Sequence, residues 1–153
     1  MSAEAVTEVK ALLERVAGAL SVEARIEVVE QGGEIRGTLH GEDLGLFIGR
    51  HGATIDAVQH LAYKVAGRLD SPPPRVVGDA AGYRARRAEA LHRQADQAAA
   101  DAVRSGRPVA LDAMSSVERK VVHEHLKDNH EVETYSEGTE PDRHLVIAPL
   151  RPA

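Results

Sequence analysis

Gly45-Leu46-Phe47-Ile48-Gly49-Arg50-His51-Gly52-Ala53-Thr54-Ile55-Asp56-Ala57-Val58-Gln59 is the stretch on which the reading of this chain turns. Two glycines stand three apart between a short apolar run, Leu44–Ile48, and a long helical pattern carried by Ile55, Val58, Leu61, Ala62, Val65 and Leu69. Glycine permits the backbone angles of a tight turn and leaves no Cβ to keep a phosphate from the main chain. A helix starting near Ala53 would offer unpaired amides and the positive end of its dipole to that phosphate. Arg50 and His51 add charge from within the loop, His51 to the extent that it is protonated. A bare Gly-x-x-Gly is more often a turn or a helix cap. Here Ile48 and Ile55 bracket it with core-type residues, and both variable positions are basic or can become so.

Working outward, Val6, Val9, Leu13, Val16 and Leu20 recur at helical spacing, which predicts a helix over 3–20. Arg25–Glu30 and Glu34–His40 alternate around Gly32-Gly33, a hairpin signal. Pro72-Pro73-Pro74 ends the helix after the loop, and Arg75–Gly78 reads as a short strand. The predicted order is helix, strand, strand, short helix, helix, strand.

Gly82 to about Ser105 is rich in Ala and Arg and predicts a long helix, ended by Gly106 and Pro108. Val109–Leu111 is a brief strand candidate. Ser115-Ser116-Val117-Glu118 matches a capping box, in which Ser115 and Glu118 satisfy each other's amides at a helix start. That helix should run to about Lys127 and bury Val117, Val121, Val122 and Leu126. Val132–Ser136 and Arg143–Ala148 read as paired strands joined by a turn with Gly138 and Pro141. The fold class is α+β: two small units, 1–80 and 81–153.

The net charge of −5 argues against nucleic acid until its distribution is considered. Residues 1–47 carry 4 Lys/Arg against 9 Asp/Glu, residues 48–107 carry 10 against 6, and residues 108–153 carry 5 against 9. Screening confines each charge to about 8–10 Å at ordinary salt, so a basic middle segment can bind phosphate in an acidic protein. There is no cysteine, hence no disulfide and no thiolate metal site. No signal peptide and no apolar run of membrane-spanning length is evident, which predicts a cytoplasmic protein without membrane insertion.

Arg119 and His123 stand four apart and share a helix face, with Lys127 roughly on the same stripe. Such a pair can hold a phosphate and stack on a base; a solvated face with Arg119 paired to Glu118 or another carboxylate fits the spacing as well. Arg84, Arg86 and Arg87 crowd a helix start, either as a basic patch for phosphate or for solubility, with Asp79 and Glu89 as partners. His123, His125 and His130 lack a metal-binding spacing, and no Walker motif, dinucleotide fingerprint or nucleophile elbow occurs, so neither cofactor nor enzymatic activity is expected. Aromatics are scarce (Phe47, Tyr63, Tyr83, Tyr135), which disfavours a stacking platform of the RRM type.

Gly45–Gln59 resembles the KH segment of the bacterial Jag proteins, also called SpoIIIJ-associated or KhpB-type proteins, and the element order is that of a type II KH domain, α-β-β-α-α-β. Glu118-Arg119-Lys120-Val121-Val122-His123, followed by Thr134-Tyr135-Ser136-Glu137-Gly138 and Pro141-Asp142-Arg143, resembles their second, R-x-x-x-H (R-three-H) domain: a long helix, a three-stranded sheet and a second helix. The resemblance implies single-stranded RNA binding, through Ile48, Gly49, Arg50, His51, Gly52 and Ile55 in the first domain and Arg119, His123, Lys127 and Arg143 in the second. It implies an RNA chaperone or post-transcriptional regulator linked to cell elongation and envelope control, with a second small KH protein as partner. Longer members carry an N-terminal Jag domain that is not expected here. A KH groove reads bases mainly through backbone and aliphatic contacts, so few aromatics are needed. A protein-interaction adaptor and a single-stranded DNA binder are the competing readings.

Overall fold

The structure is a computed structural model that describes residues 2–151. It contains two compact units, Met1–Arg84 and Ala85–Ala153.

The first unit opens with α1 (Ala3–Ala19), capped by the Ser2 hydroxyl, which accepts from the Ala5 amide. Its deepest stripe is Ala5, Val9, Leu13 and Ala17; Val6, Val16 and Leu20, counted in the sequence pattern, lie half-buried beside it. Small residues at both ends let the helix lie close on the sheet. β1 (Arg25–Gln31) and β2 (Glu34–His40) pair antiparallel around Gly32 and Gly33, whose positive φ angles of 59° and 81° are those the tight hairpin turn requires. A four-residue helix, α2 (Gly45–Ile48), precedes the Gly-x-x-Gly turn and α3 (Ala53–Leu69). β3 (Arg75–Ala80) then pairs parallel to β2, giving the order β1-β2-β3. α1 and α3 both pack against this sheet, and at Gly37 an added Cβ would come within 2.5 Å of Leu13 Cδ1. Ile35, Leu39, Phe47 and Ile55 fill the centre. Leu61 and Leu69, which the helical pattern assigns to the core, are exposed; the stripe that α3 buries is Ile55, Val58, Ala62 and Ala66.

The second unit is built on α4 (Tyr83–Ser105), whose inner stripe of Leu91, Ala95, Ala98, Ala99 and Ala102 ends at Gly106, φ 69°. β4 (Val109–Ala110), β6 (His144–Pro149) and β5 (Val132–Glu137) form an antiparallel sheet in the order β4-β6-β5. The central β6 buries Leu145, Val146, Ile147 and Ala148 in succession, because it is covered where an edge strand would meet water. α5 (Ser116–Leu126) contributes Val122 and Leu126 to this core, while Val117, expected there, is 64% exposed. The Ser115 hydroxyl accepts from the Glu118 amide as expected, but the Glu118 carboxylate turns to Arg87 and does not complete a reciprocal box.

Phe47 is 1% exposed, so Phe47→Ala should cost about 3–5 kcal/mol. Val117→Ala should stay within about 0.5 kcal/mol. Urea unfolding followed by circular dichroism measures both, and similar losses would contradict this packing.

Candidate nucleic-acid interface

Gly49 ends α2 at φ 74°, ψ 176°, a region that is essentially glycine's alone. A Cβ there would also come within 2.8 Å of the Thr54 backbone nitrogen. Arg50–Gly52 form a single 3₁₀ turn in which His51 is left-handed, φ 53° and ψ 29°. Gly52, φ 79°, needs its freedom for a second reason: a Cβ would sit 2.8 Å from the Tyr83 ring. The two glycines thus answer different constraints. α3 starts directly behind them; no side chain caps it, and the amide of its first residue, Ala53, donates to the Arg50 carbonyl within the turn. Arg50 and His51 are exposed and make no ion pair among the described residues. Ile48 is half-buried and Ile55 is buried, so the turn is anchored in the core on both sides. Ile48, Gly49, Arg50, His51, Gly52 and Ile55 therefore form one continuous feature.

The second candidate set divides. Arg119, His123 and Arg143 line one cleft of about 400 Å³ between α5 and the β5–β6 hairpin, together with Lys120, Thr134 and Tyr135. His123 is exposed and its Nδ1 is hydrogen-bonded to the Thr134 hydroxyl at 2.5 Å, which fixes the ring. Arg143 donates to the Gly138 carbonyl at 2.7 Å. Arg119 is not displayed as the helix spacing suggests. Its side chain is 10% exposed and donates to the Met114 carbonyl at 2.6 Å and to Glu140 at 2.9 Å, so it braces the cleft. Lys127 lies outside the cleft, at the end of α5, paired with Glu124 at 3.0 Å. That contact raises the Lys127 pKa and lowers that of Glu124, both at the surface.

The arginine cluster at the start of α4 is largely paired within the fold. The Arg84 side chain is paired with Asp56 at 2.9 Å while its amide donates to Asp79 at 3.3 Å, Arg87 is paired with Glu118 at 2.6 Å, and both guanidinium groups are engaged within the fold. Arg86 is exposed on the same helix. Lys120, Thr134 and Tyr135 stand in the quoted sequence motifs without being assigned to the site; the structure places all three in the cleft, with Tyr135 exposed. His125 stacks on His92, ring centroids 4.1 Å apart, and meets Asp96 at 2.8 Å. Among the described residues no three His, Asp or Glu side chains are grouped to hold a metal ion, and no helix is long and apolar enough to cross a membrane.

Residues 7–77 match the family described as KhpA/KhpB, KH domain, and residues 89–149 match the R-three-H domain family. The chain is 44% identical over 104 residues to an RNA-binding protein KhpB of Lactiplantibacillus plantarum, covering 68% of this chain and 32% of that protein. It is 36% identical over 129 residues to an RNA-binding protein KhpB of Clostridium symbiosum, covering 84% and 58%. Against the RNA-binding protein KhpB of Bacillus subtilis the identity is 32% over 148 residues, covering 95% and 71%. The chain therefore spans from about a third to 71% of the length of these relatives.

Removing the Arg119 guanidinium leaves the buried Met114 carbonyl without its charged donor. Arg119→Met should lower the stability of the second unit by about 2–4 kcal/mol. Glu140 is 60% exposed, so Glu140→Gln should cost under about 1 kcal/mol. Equal losses in urea unfolding would show that the ion pair, not the carbonyl contact, holds Arg119.

Proposed function

The chain belongs to the KhpB-type family of RNA-binding proteins, a KH domain followed by an R-three-H domain, and from that premise we propose that it holds single-stranded RNA by its phosphates at the Gly49–Gly52 turn. The observation that carries this is the turn itself: two positive-φ glycines, two exposed basic side chains and an uncapped helix start within four residues. The cleft at Lys120, His123 and Arg143 is the second grip, with Arg119 as its brace. KH function is assigned to the first unit and R-three-H function to the second.

A role as RNA chaperone or post-transcriptional regulator in the cytoplasm, tied to cell elongation and envelope control, is an extension of this proposal on the family resemblance. So is partnership with a second small KH protein. The matched domain is named for KhpA as well as KhpB, and α3 carries exposed Leu61 and Tyr63 in a shallow surface shared with Lys64, Arg68 and Pro73, where another protein could dock. No enzymatic activity is proposed. The net charge of −5 favours the adaptor as second reading.

Arg50→Asp/His51→Asp keeps both glycines and reverses the loop charge. Binding of a labelled single-stranded RNA should weaken by at least about tenfold, and the slope of log affinity against log salt should fall by about 0.7 for each phosphate that the loop no longer neutralises. Circular dichroism checks the fold. Equal binding by both proteins would shift the grip to the second unit. No binding by either at low salt would leave the adaptor, and preference for the matched DNA would replace RNA as ligand.

A further inference from the structure

Gly78 lies within β3, the outer strand of the first sheet. Within a strand the N–H and C=O of one residue point to the same edge, and successive residues alternate. The amides of Arg75 and Ala81 donate to the Gly33 and Leu39 carbonyls on the β2 side, so Gly78 faces the open edge. That edge is already occupied. The Gly78 amide donates to Gln59 Oε1 at 3.0 Å, and its carbonyl accepts from Arg84 Nε at 2.6 Å. Arg84 gives its other two nitrogens to Asp56 Oδ1 at 2.9 Å and Gln59 Oε1 at 3.0 Å.

Two consequences follow for a strand of RNA held at the glycine turn and running between α3 and β3. The main-chain groups of Gly78 are not available to a base, so the side chains that took them face it. The orientation of the Gln59 amide is also set, because Oε1 accepts from two N–H groups and the donating Nε2 must therefore point away from Gly78. Asp56 is 41% exposed and binds Arg84 through one oxygen only. Asp56 and Gln59 are three apart on one face of α3, about 5 and 9 Å along the axis from Ala53.

We propose that Asp56 and Gln59 read the base next to the phosphates held at Gly49–Gly52, that this base is guanine, and that Arg84 is the positioning residue that orients both. The inference rests on the RNA-binding reading of the loop. A carboxylate accepts and cannot donate. Guanine alone presents two donors side by side on its Watson–Crick face, N1–H and the N2 amino group, with O6 beside them to accept from Gln59 Nε2. Adenine and cytosine set a ring nitrogen lone pair next to their single amino group, and uracil flanks its one N–H with carbonyl oxygens; each meets the carboxylate with a repelled acceptor. Arg84 offsets the carboxylate's repulsion of the neighbouring phosphates and holds the amide in its reading orientation.

The test uses the full chain and short labelled uridine tracts, unmodified or carrying one guanine, adenine or cytosine, with affinity read by fluorescence anisotropy. The wild type should bind the guanine tract about tenfold more tightly than the others, as one bidentate base contact provides. Asp56→Asn replaces an acceptor by a donor and should bring the ratio to within about twofold. Arg84→Lys retains the charge but not the fork, and should lower the ratio in the same direction. Circular dichroism melting accompanies each variant. RNA binding by the wild type without base preference overturns the inference and leaves the loop reading intact. So does a change in affinity for every tract by the same factor in Asp56→Asn, which marks a latch or simple repulsion. If the wild type binds none of the tracts, the loop reading fails and the inference falls with it.

Discussion

The main chain at Gly49, φ 74° and ψ 176°, is a conformation a side chain would forbid, and the working edge of the first unit is arranged around it. It turns the chain from α2 into α3 within four residues, bringing Thr54 against the glycine where a Cβ would stand. That sharp reversal presents Arg50 and His51 to solvent and the start of α3 to whatever lies above it. Gly52 completes the turn, left-handed, with the Tyr83 ring packed beneath. Tyr83 and its neighbour Arg84 belong to the first turn of α4, yet their contacts run to the turn, α3 and β3. This is why the first compact unit extends to Arg84 and includes the beginning of a helix that continues into the second.

Charge in the middle of the sequence is deployed differently from its formal balance. Arg75 reaches Glu34, Arg84 reaches Asp56, Arg87 reaches Glu118 and Arg104 reaches Asp101. The Arg87–Glu118 pair is the most enclosed of these, with side chains 19% and 10% exposed. Removing either member would strand the other charge in a poorly hydrated place, so neither is easily diverted to a phosphate. Arg119 is likewise enclosed, held by the Met114 carbonyl as well as by Glu140. The cations left for a ligand are those on exposed loops and cleft rims, and Arg50, Lys120 and Arg143 are of that kind.

Most of the fold is legible from local rules. The hairpin at Gly32-Gly33, the stop at Pro72-Pro73-Pro74 and the Ser115 cap act through bonds within a few residues, and each lies where its signal stands. The glycine turn is legible for the same reason. What sequence does not show is long-range partner choice. Spacing assigns Glu118 to its own capping box, but Arg87, 31 residues away, is the stronger partner for a carboxylate near the protein interior. Spacing also displays Arg119, because a helical period reports a face and says nothing of what covers that face; the turn carrying Glu140 covers it. Leu61, Leu69 and Val117 fit an apolar period while facing outward, since α3 and α5 bury narrower stripes than their apolar content allows.

An acidic protein with a local basic grip has an electrostatic signature of its own. At ordinary salt a phosphate at the turn senses charges within about 8–10 Å, among them the exposed Arg50. As salt falls, local attraction grows by counterion release, but the screening length grows as well, to about 30 Å at 0.01 M. At that range the acidic segment of the same unit, residues 1–47 with 9 Asp/Glu against 4 Lys/Arg, acts on the same strand. The two trends oppose one another. A plot of log affinity against log salt should therefore bend and flatten at the low-salt end, where a uniformly basic binder gives a straight line. A line without curvature would mean that the local field at the turn alone governs the approach of the RNA.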